Sequence, residues 1–399
     1  MLSIKSGKLA PTLAFALTSV VAAALSMSAC ATSQKAFIGD EGGLPDDDGG
    51  PLGEGGPNVE GGGEGGGDGG LGGPRIPCGP TFCRSDAKCV SNACTYDCTG
   101  TKVPGDYATI TSAVTALAAT AADVTICLGA IQAGESVSIS DVGAHNKKLT
   151  IIATAPLQTT LGSVSVSSGF SDVTLIGFGT SSTLNVTGAA KVTLRALKLS
   201  SVSGAALQIR GSSATTPSTI TVDACDIGSS STSGYGVYVD SSLTSPLDVA
   251  VTNSYIHGGS YGVYQYGTST SLALKITNNT IDKAQYGLNL GGSGTSAISY
   301  VNNIISNSTM VGVTVGTGLT AVTHSNNALF GNMTNYAGSA VEGTGYVKSD
   351  CQLDMSTGVP QTKAGSPCRG VGKADGAPGT DFWNASRGSK IDLGAVQGP

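Results

Sequence analysis

The sequence predicts an all-β solenoid, a stack of short coils whose strands run parallel. Its most regular part repeats every 25 or 26 residues, and the units begin at Tyr235, Tyr261, Tyr286 and Val311, each followed by glycine. Apolar residues alternate within each unit, and asparagines recur near its end in a fixed register. Because a unit this short cannot bury its apolar face alone, successive units must stack.

The residue pattern within each unit predicts two or three very short strands. The first strands read "GVYV", "GVYQ", "GLNL" and "GVTV", and the later ones read "VTNSYI", "ITNNTI", "YVNNII" and "HSNNAL". Period-two alternation and many β-branched residues exclude a helical solenoid. Only "ITSAVTALAATAADV", Ile110 to Val124, predicts a helix, and it precedes the first strand "TICLGA".

The recurring asparagines predict columns along the stack. One column contains Asn253, Asn278, Asn302 and Asn326, and the next contains Asn279, Asn303 and Asn327. Asparagine in a tight turn can bond its own backbone and the equivalent side chain of the next coil, which predicts ladders. Asp223 and Asp226 occupy this turn one unit earlier, where a structural role is favoured over a catalytic one.

The first 29 residues predict an export signal. Lys5 and Lys8 precede an apolar run from Leu9 to Leu25, which is typical of a signal peptide. A transmembrane helix is the alternative, but the run is shorter than the roughly 20 residues that a bilayer requires and contains Pro11. "MSAC" resembles a bacterial lipobox, which implies that Cys30 is lipidated. We therefore expect a protein anchored by lipid in the cell envelope, at the outer membrane or cell surface.

Residues 30–77 predict a disordered, lipid-anchored linker. Gly39 to Pro74 contains nine acidic residues, no basic residue and almost nothing to bury, so it cannot fold alone. Gly-rich chains of this length reach roughly 35 Å. The rest of the chain, Arg75 to Pro399, carries 18 acidic and 18 basic residues and no basic stripe, which argues against nucleic acid as a partner. We expect a monomer.

The chain has ten cysteines, and an exported protein uses cysteines mainly for disulfides. Residues 78–98 form a disulfide-rich segment with four of them close together; a zinc site is the alternative, although no C-x2-C pair occurs there. We expect bonds from Cys98 to Cys127 and from Cys351 to Cys368. Cys225 is left as a buried, inert thiol. The cysteines of the disulfide-rich segment, whose pairing the sequence leaves open, are Cys78, Cys83, Cys89 and Cys94.

From Tyr107 to about Tyr346 the repeats resemble the right-handed parallel β-helix proteins of the pectate-lyase type. This resemblance implies a single-stranded right-handed parallel β-helix over residues 99–350, with a short capping helix at its start. Residues 351–399 resemble the tail of many bacterial exported β-helix proteins. There, "GSP" at Gly365 to Pro367 and "DLGA" at Asp392 to Ala395 imply a cap whose final strand closes the last coil.

Most characterised proteins with this fold act on polysaccharides, but a fold alone does not establish an activity. The "NTD", "DD" and "RIK" motifs of polygalacturonase-like relatives are missing, His257 stands in "IHGG" without their partner residues, and no acidic cluster for calcium is present. We therefore expect no cofactor, no metal and no catalytic residues.

Alternation within the first strands places one set of polar and aromatic residues outward on neighbouring coils. Tyrosine rings beside hydrogen-bonding groups suit stacking on sugar rings, although tyrosine is also common on any exposed sheet. Gln265 falls on the buried side, without a partner that the sequence identifies. The candidate carbohydrate-binding residues are Gln208, Arg210, Tyr238, Asp240, Tyr264, Tyr266 and Asn289.

Two functions are compatible with this set of residues. The first is a surface-anchored lipoprotein without turnover, either structural or polysaccharide-binding. The alternative is a polysaccharide lyase or glycoside hydrolase that uses Arg210 and Asp240 on the same face.

The anchor is tested by Cys30→Ser, which removes the only thiol at the predicted cleavage site. We expect the wild-type protein to partition into the detergent phase on Triton X-114 extraction, and the variant to be aqueous or unprocessed. Wild-type protein in the aqueous phase with an unmodified cysteine would contradict lipidation.

Overall fold

The computed structural model describes residues 75–79, 81–131, 134–140, 145–167, 169–211, 217–242, 245–268 and 271–398. The predicted signal peptide, Cys30 and nearly all of the linker lie outside these ranges. Within them, no helix is long and apolar enough to span a bilayer.

The chain from residue 76 begins with two antiparallel hairpins, which we call the Cys-rich segment. It then forms one short helix and the first strand of the solenoid. The elements are β1 (Ile76–Cys78) paired with β2 (Thr81–Cys83), β3 (Lys88–Val90) paired with β4 (Ala93–Thr95), then β5 (Thr101–Val103) and α1 (Ile110–Ala118).

The predicted parallel β-solenoid is confirmed, with about nine coils and three parallel sheets. Sheet A contains β7 (Val137–Ile139), β10 (Val164–Val166), β13 (Leu184–Thr187), β16 (Ala205–Arg210), β19 (Tyr235–Asp240), β22 (Tyr261–Tyr266), β25 (Tyr286–Leu290), β28 (Val311–Val315) and β31 (Thr334–Gly338). Sheet B contains β5, β6 (Val124–Leu128), β8 (His145–Ala153), β11 (Phe170–Ile176), β14 (Lys191–Arg195), β17 (Ser218–Asp223), β20 (Leu247–Thr252), β23 (Leu272–Thr277), β26 (Ala297–Val301) and β29 (Val322–Ser325).

The third sheet, sheet C, has the shortest strands. It contains β9 (Thr160–Leu161), β12 (Gly179–Thr180), β15 (Lys198–Ser201), β18 (Asp226–Ser229), β21 (Tyr255–Gly258), β24 (Thr280–Asp282), β27 (Ile304–Ser306) and β30 (Ala328–Phe330). A 3-10 turn (Pro156–Gln158) precedes β9, and a late antiparallel pair joins β32 (Leu353–Asp354) to β33 (Gln361–Thr362). Inward apolar side chains of all three sheets form one continuous core.

The helix is shorter than predicted and ends at Ala118, since the Thr120 amide donates back to the Leu117 carbonyl at 3.1 Å and Val124 already begins β6. Thr109 caps its start by accepting from the Ser112 amide. At its other end, the buried ammonium of Lys147 donates to the Leu117 and Thr120 carbonyls at 3.2 and 2.7 Å. This cation supplies donors for carbonyls that a helix end leaves unpaired.

The cysteine bonds resolve the pairing that the sequence left open. The disulfides are Cys78–Cys89, Cys83–Cys94, Cys98–Cys127 and Cys351–Cys368, and the last two pairs are those predicted. The sulfurs of Cys78, Cys83 and Cys94 lie within 4.8 Å of one another, but each belongs to a disulfide rather than to a zinc site. Among the described residues Cys225 is the free cysteine, and complete burial raises the pKa of its thiol to about 12.

The two asparagine columns differ in structure. In the second column, the side-chain oxygen of Asn303 accepts from the backbone amide of Asn279 at 2.9 Å. The side-chain oxygen of Asn327 accepts in the same way from the backbone amide of Asn303. This column is a buried ladder, as predicted. In the first column the backbone is left-handed, with φ between 49 and 59°, and one side-chain rung joins Asn302 to Asn278 at 3.2 Å. Asparagine tolerates that conformation better than most residues.

The first column binds mainly the C-terminal segment, residues 351–398, instead of itself. Asn278 donates to the Asp392 carbonyl at 3.0 Å, Asn302 to the Lys373 carbonyl at 2.8 Å, and Asn326 to the Val371 carbonyl at 2.9 Å. The ladder predicted for this column is therefore wrong except for the rung between Asn302 and Asn278, because backbone carbonyls of the C-terminal segment accept from the asparagine side-chain amides instead.

The C-terminal segment also differs from the cap that the resemblance implied. The Gly394 amide donates to the Asn302 carbonyl at 2.8 Å, and the Ala395 amide donates to the Thr280 hydroxyl at 3.1 Å. These partners belong to coils before the last one, so "DLGA" does not close the final coil. Instead the segment returns along sheet C, and the buried guanidinium of Arg387 fastens it by donating to the Asn253 side chain at 2.7 Å.

The ladder is tested by Asn303→Ala, which leaves the backbone amide of Asn279 without its acceptor and the carbonyls of Ile276 and Val301 without the donor that the Asn303 side chain supplies. We expect a loss of about 1 to 3 kcal/mol in the free energy of unfolding for buried groups of this kind. Asn185→Ala, on the half-buried outer face of β13, is the control and should cost less. Urea unfolding measures both, and equal losses would contradict a specific ladder.

Candidate functional site

The seven candidate residues lie together on the outer face of sheet A. Their strands β16, β19, β22 and β25 are consecutive neighbours. One register column contains Gln208, Tyr238, Tyr264 and Asn289, and a second column contains Arg210, Asp240 and Tyr266. Alternation within the strands therefore placed these side chains on the correct face.

Three further tyrosines belong to this face, and alternation missed them. Tyr235, Tyr261 and Tyr286 form a column of their own at the starts of the strands. Gly236 and Val237 are both buried, so the alternation slips by one residue and Tyr235 points outward. The "YG" that opens three successive units was the available sequence signal, but it served only to mark the repeat.

Glycine is required next to each of these tyrosines. A Cβ added to Gly236 would lie 2.6 Å from the Gly262 carbonyl oxygen, and one added to Gly262 would lie 2.6 Å from the Gly287 oxygen. This close approach of successive backbones draws the strand starts inward and leaves the tyrosines outside.

The six tyrosines form what we call the tyrosine patch, which comprises Tyr235, Tyr238, Tyr261, Tyr264, Tyr266 and Tyr286. Their rings stack mainly on one another, with centroids 5.2 Å apart for Tyr235 and Tyr261 and 5.6 Å apart for Tyr238 and Tyr264. Tyr286 stacks on Tyr261 at 5.1 Å.

This stacking changes what the patch presents to a ligand. Rings that stack along the solenoid cover one another's faces, so most of them have no free face on which a sugar ring could stack. Their ring edges and phenol groups are what remains for a ligand. Tyr266 is the exception, because it is 51% exposed and its centroid lies 6.4 Å from that of Tyr264. Burial, followed by the charge of Asp240, raises the pKa of Tyr238, so its phenol stays neutral and can donate.

The charged residues of this face are already engaged with neighbours. Arg210 Nε lies 3.5 Å from Asp240 Oδ2, while Asp240 Oδ1 accepts from the Ser242 amide at 3.0 Å and from its hydroxyl at 2.6 Å. With its amide oriented to satisfy both neighbours, Gln208 accepts from Arg210 at 2.8 Å and donates to Asn185 at 2.7 Å. These contacts hold the polar rim beside the tyrosine patch in place.

Glycoside hydrolysis commonly uses two carboxylates about 5 to 10 Å apart. On strands β16, β19, β22 and β25, Asp240 is the single carboxylate. The outer face of these strands therefore lacks the pair that the hydrolase alternative requires.

Gln265, the unexplained buried polar residue, has two partners. Its amide nitrogen donates to the Ser241 hydroxyl at 3.1 Å, and its oxygen accepts from the Gly292 amide at 3.0 Å. The side chain thus connects the turns that follow β19 and β25, the strands on either side of its own strand β22.

A second polar group lies where sheet B passes into sheet C, and it includes two residues considered from the sequence, Asp223 at the end of β17 and Asp226 at the start of β18. Asp223 accepts from Thr252 and Asn253 at 2.8 and 2.9 Å, which is the structural role that was favoured for it. Asp226 instead lies 2.9 Å from His257 Nε2, so this histidine has a partner that its local sequence did not reveal.

Residues 182–353 match the family model described as a right-handed beta helix region. This match covers less than half of the chain, and together with the three parallel sheets it supports a right-handed parallel β-helix fold. Comparison with curated proteins and with solved structures found no significant match.

The glycine column is tested by Gly262→Ala. The added methyl group would meet Ile281 Cγ2 at 2.5 Å, and overpacking of this kind costs about 1 to 3 kcal/mol of unfolding free energy. We expect lower stability and a changed near-ultraviolet circular dichroism spectrum, because the stacked tyrosines shift. Gly379→Ala, where an added Cβ has nothing within 4 Å, is the control. An unchanged tyrosine spectrum in Gly262→Ala would contradict the role of this glycine.

Proposed function

We propose that this protein is a surface-anchored β-helix lipoprotein whose tyrosine patch binds polysaccharide without turnover. The observation that carries the proposal is the clustering of six tyrosines on one face, bordered by Arg210, Asp240, Gln208 and Asn289. Aromatic groups with polar tips and a small number of fixed hydrogen-bonding partners are typical of sugar-binding surfaces.

The proposed mode of binding follows from the stacked rings. A glycan contacts the outward edges and hydroxyls of the stacked tyrosines, and one sugar ring lies against the exposed face of Tyr266. Strands of a parallel sheet are about 4.8 Å apart, so three successive tyrosine-bearing strands offer a surface roughly 10 Å long. Such a surface contacts more than one sugar unit, and affinity should therefore grow with the length of the oligosaccharide.

The proposed anchor is the lipid on Cys30, followed by the acidic linker. Acyl chains contribute about 0.8 kcal/mol for each buried methylene, and several chains together hold a folded domain stably on a membrane. The solenoid would then present its polysaccharide-binding face at the cell surface.

The test is binding to an array of neutral and acidic oligosaccharides of increasing length. Tyr266→Ala should weaken binding about three- to tenfold, since one aromatic contact contributes about 0.5 to 1.5 kcal/mol. Met333→Ala, an 80% exposed apolar residue outside the tyrosine patch, is the matched control and should bind as the wild type does.

Three outcomes would contradict parts of this proposal. Absence of length-dependent binding across the array would leave the solenoid as a spacer. Binding that is indifferent to Tyr266→Ala would move the site elsewhere. Release of reducing ends or unsaturated products, abolished by Asp240→Asn, would establish the lyase or hydrolase alternative.

A further inference from the structure

A cleft lies on sheet C, on a different face of the solenoid from the tyrosine patch. It consists of a cavity of about 240 Å³ and an adjoining cavity of about 330 Å³. Lys198, Asp226 and Gly358 line both cavities, so the two are parts of one cleft. The Cys-rich segment and the C-terminal segment form its walls, and strands β15, β18 and β21 form its floor.

The walls of the cleft are mainly apolar and aromatic. Phe82 comes from the Cys-rich segment, and Val359, Phe382 and Trp383 come from the C-terminal segment. Phe382 and Trp383 pack edge to face with ring centroids 5.1 Å apart. Both of these rings are more than nine-tenths buried, which means that they are held in place rather than free to rotate into solvent.

The two wall segments are bonded to each other, so the cleft is preformed. The Ser85 amide donates to the Trp383 carbonyl at 3.0 Å, and its hydroxyl donates to the Asn384 carbonyl at 2.8 Å. The guanidinium of the buried Arg84 donates to the Phe382 carbonyl. Two disulfides stiffen the Cys-rich segment on one side of this junction.

The floor of the cleft is polar and contains a specific arrangement around His257. The imidazole lies over Gly228, where an added Cβ would be 2.5 Å from His257 Cε1, and this space lets Nε2 reach Asp226. The imidazole also stacks on the Tyr255 ring, with ring centroids 4.5 Å apart.

Lys198 is the cation of the floor that lacks a carboxylate partner. Asp226, its register neighbour, is directed to His257, and within the described residues no carboxylate lies within ion-pairing distance of the Lys198 ammonium. The other cation nearby, Arg84, is paired with Asp86 at 3.1 Å. The cleft therefore combines an aromatic wall with one available positive charge.

We propose that this cleft binds a small aromatic carboxylate, with its ring between the aromatic walls and its carboxylate on Lys198. The wall cavity exceeds the volume of about 150 Å³ that holds a benzene ring, and the adjoining cavity leaves room for the carboxylate. Sites of this kind bind by burying an apolar body, while a few polar groups determine its orientation. The ion pair with Lys198 makes a charged ligand bind better than a neutral ligand of the same shape.

The test uses phenylacetate and its neutral isostere phenylacetamide as probes, with binding to the full chain followed by saturation-transfer NMR. We expect phenylacetate to bind with a dissociation constant of about 1 mM or lower, and phenylacetamide to bind about tenfold more weakly. Lys198→Gln should remove most of this difference. Lys275→Gln, an exposed lysine on sheet B, is the matched control and should retain it.

A second variant keeps the proposal testable if Lys198→Gln is poorly folded. Val359→Phe should fill the wall cavity and weaken both probes equally, and a melting curve checks that it folds. No saturable binding, equal affinity for the two probes in the wild type, or undiminished binding in Lys198→Gln would each overturn the proposal. Tyr266→Ala should leave phenylacetate binding unchanged, so failure here and failure of polysaccharide binding are distinguishable.

Discussion

Hydrogen bonding from coil to coil is the constraint on which the rest of this structure depends. Each strand satisfies its backbone groups through the coils before and after it, so every position of a coil lies directly beside its equivalent. A residue type that recurs at one position of the coil therefore forms a continuous column along the solenoid, and the same contact is repeated from coil to coil. The asparagine ladder, the glycine column of Gly236, Gly262 and Gly287, and the tyrosine patch are all consequences of this registry.

Both terminal segments of the described chain pack against the corner between sheets B and C. At this corner one residue of each coil has a left-handed backbone conformation. This residue is Gly177, Ala196 or Ala224 in the early coils and an asparagine in the later coils. The early part packs near the Cys-rich segment, with Tyr96 directly against Gly177, and the later part binds the C-terminal segment through the asparagine amides. The aromatic cleft lies where the Cys-rich segment and the C-terminal segment meet, and it therefore exists only because both segments fold back onto the same corner.

The two candidate sites differ in how far they could be predicted. Alternation correctly placed Tyr238, Tyr264 and their neighbours outward, because register in a solenoid follows directly from the repeat. It failed for Tyr235, since a close approach of backbones at Gly236 is a packing effect that no local pattern of polarity reports. The pairing of His257 with Asp226 was missed for a related reason: the two residues are 31 positions apart and meet only when adjacent coils stack.

The sequence by itself determined the solenoid, its period, its buried face and two of the disulfides, because each of these depends on local alternation, a regular repeat or short spacing. Only the tertiary structure decided that Asn278 and Asn302 bind the C-terminal segment and that Arg387 fastens this segment to Asn253. It also decided the pairing of Cys78 with Cys89 and of Cys83 with Cys94. These contacts compete with other partners of similar chemistry, and Arg387 lies 134 residues from Asn253. Periodicity carries no information about such a contact, so its outcome depends on the three-dimensional packing of the whole chain.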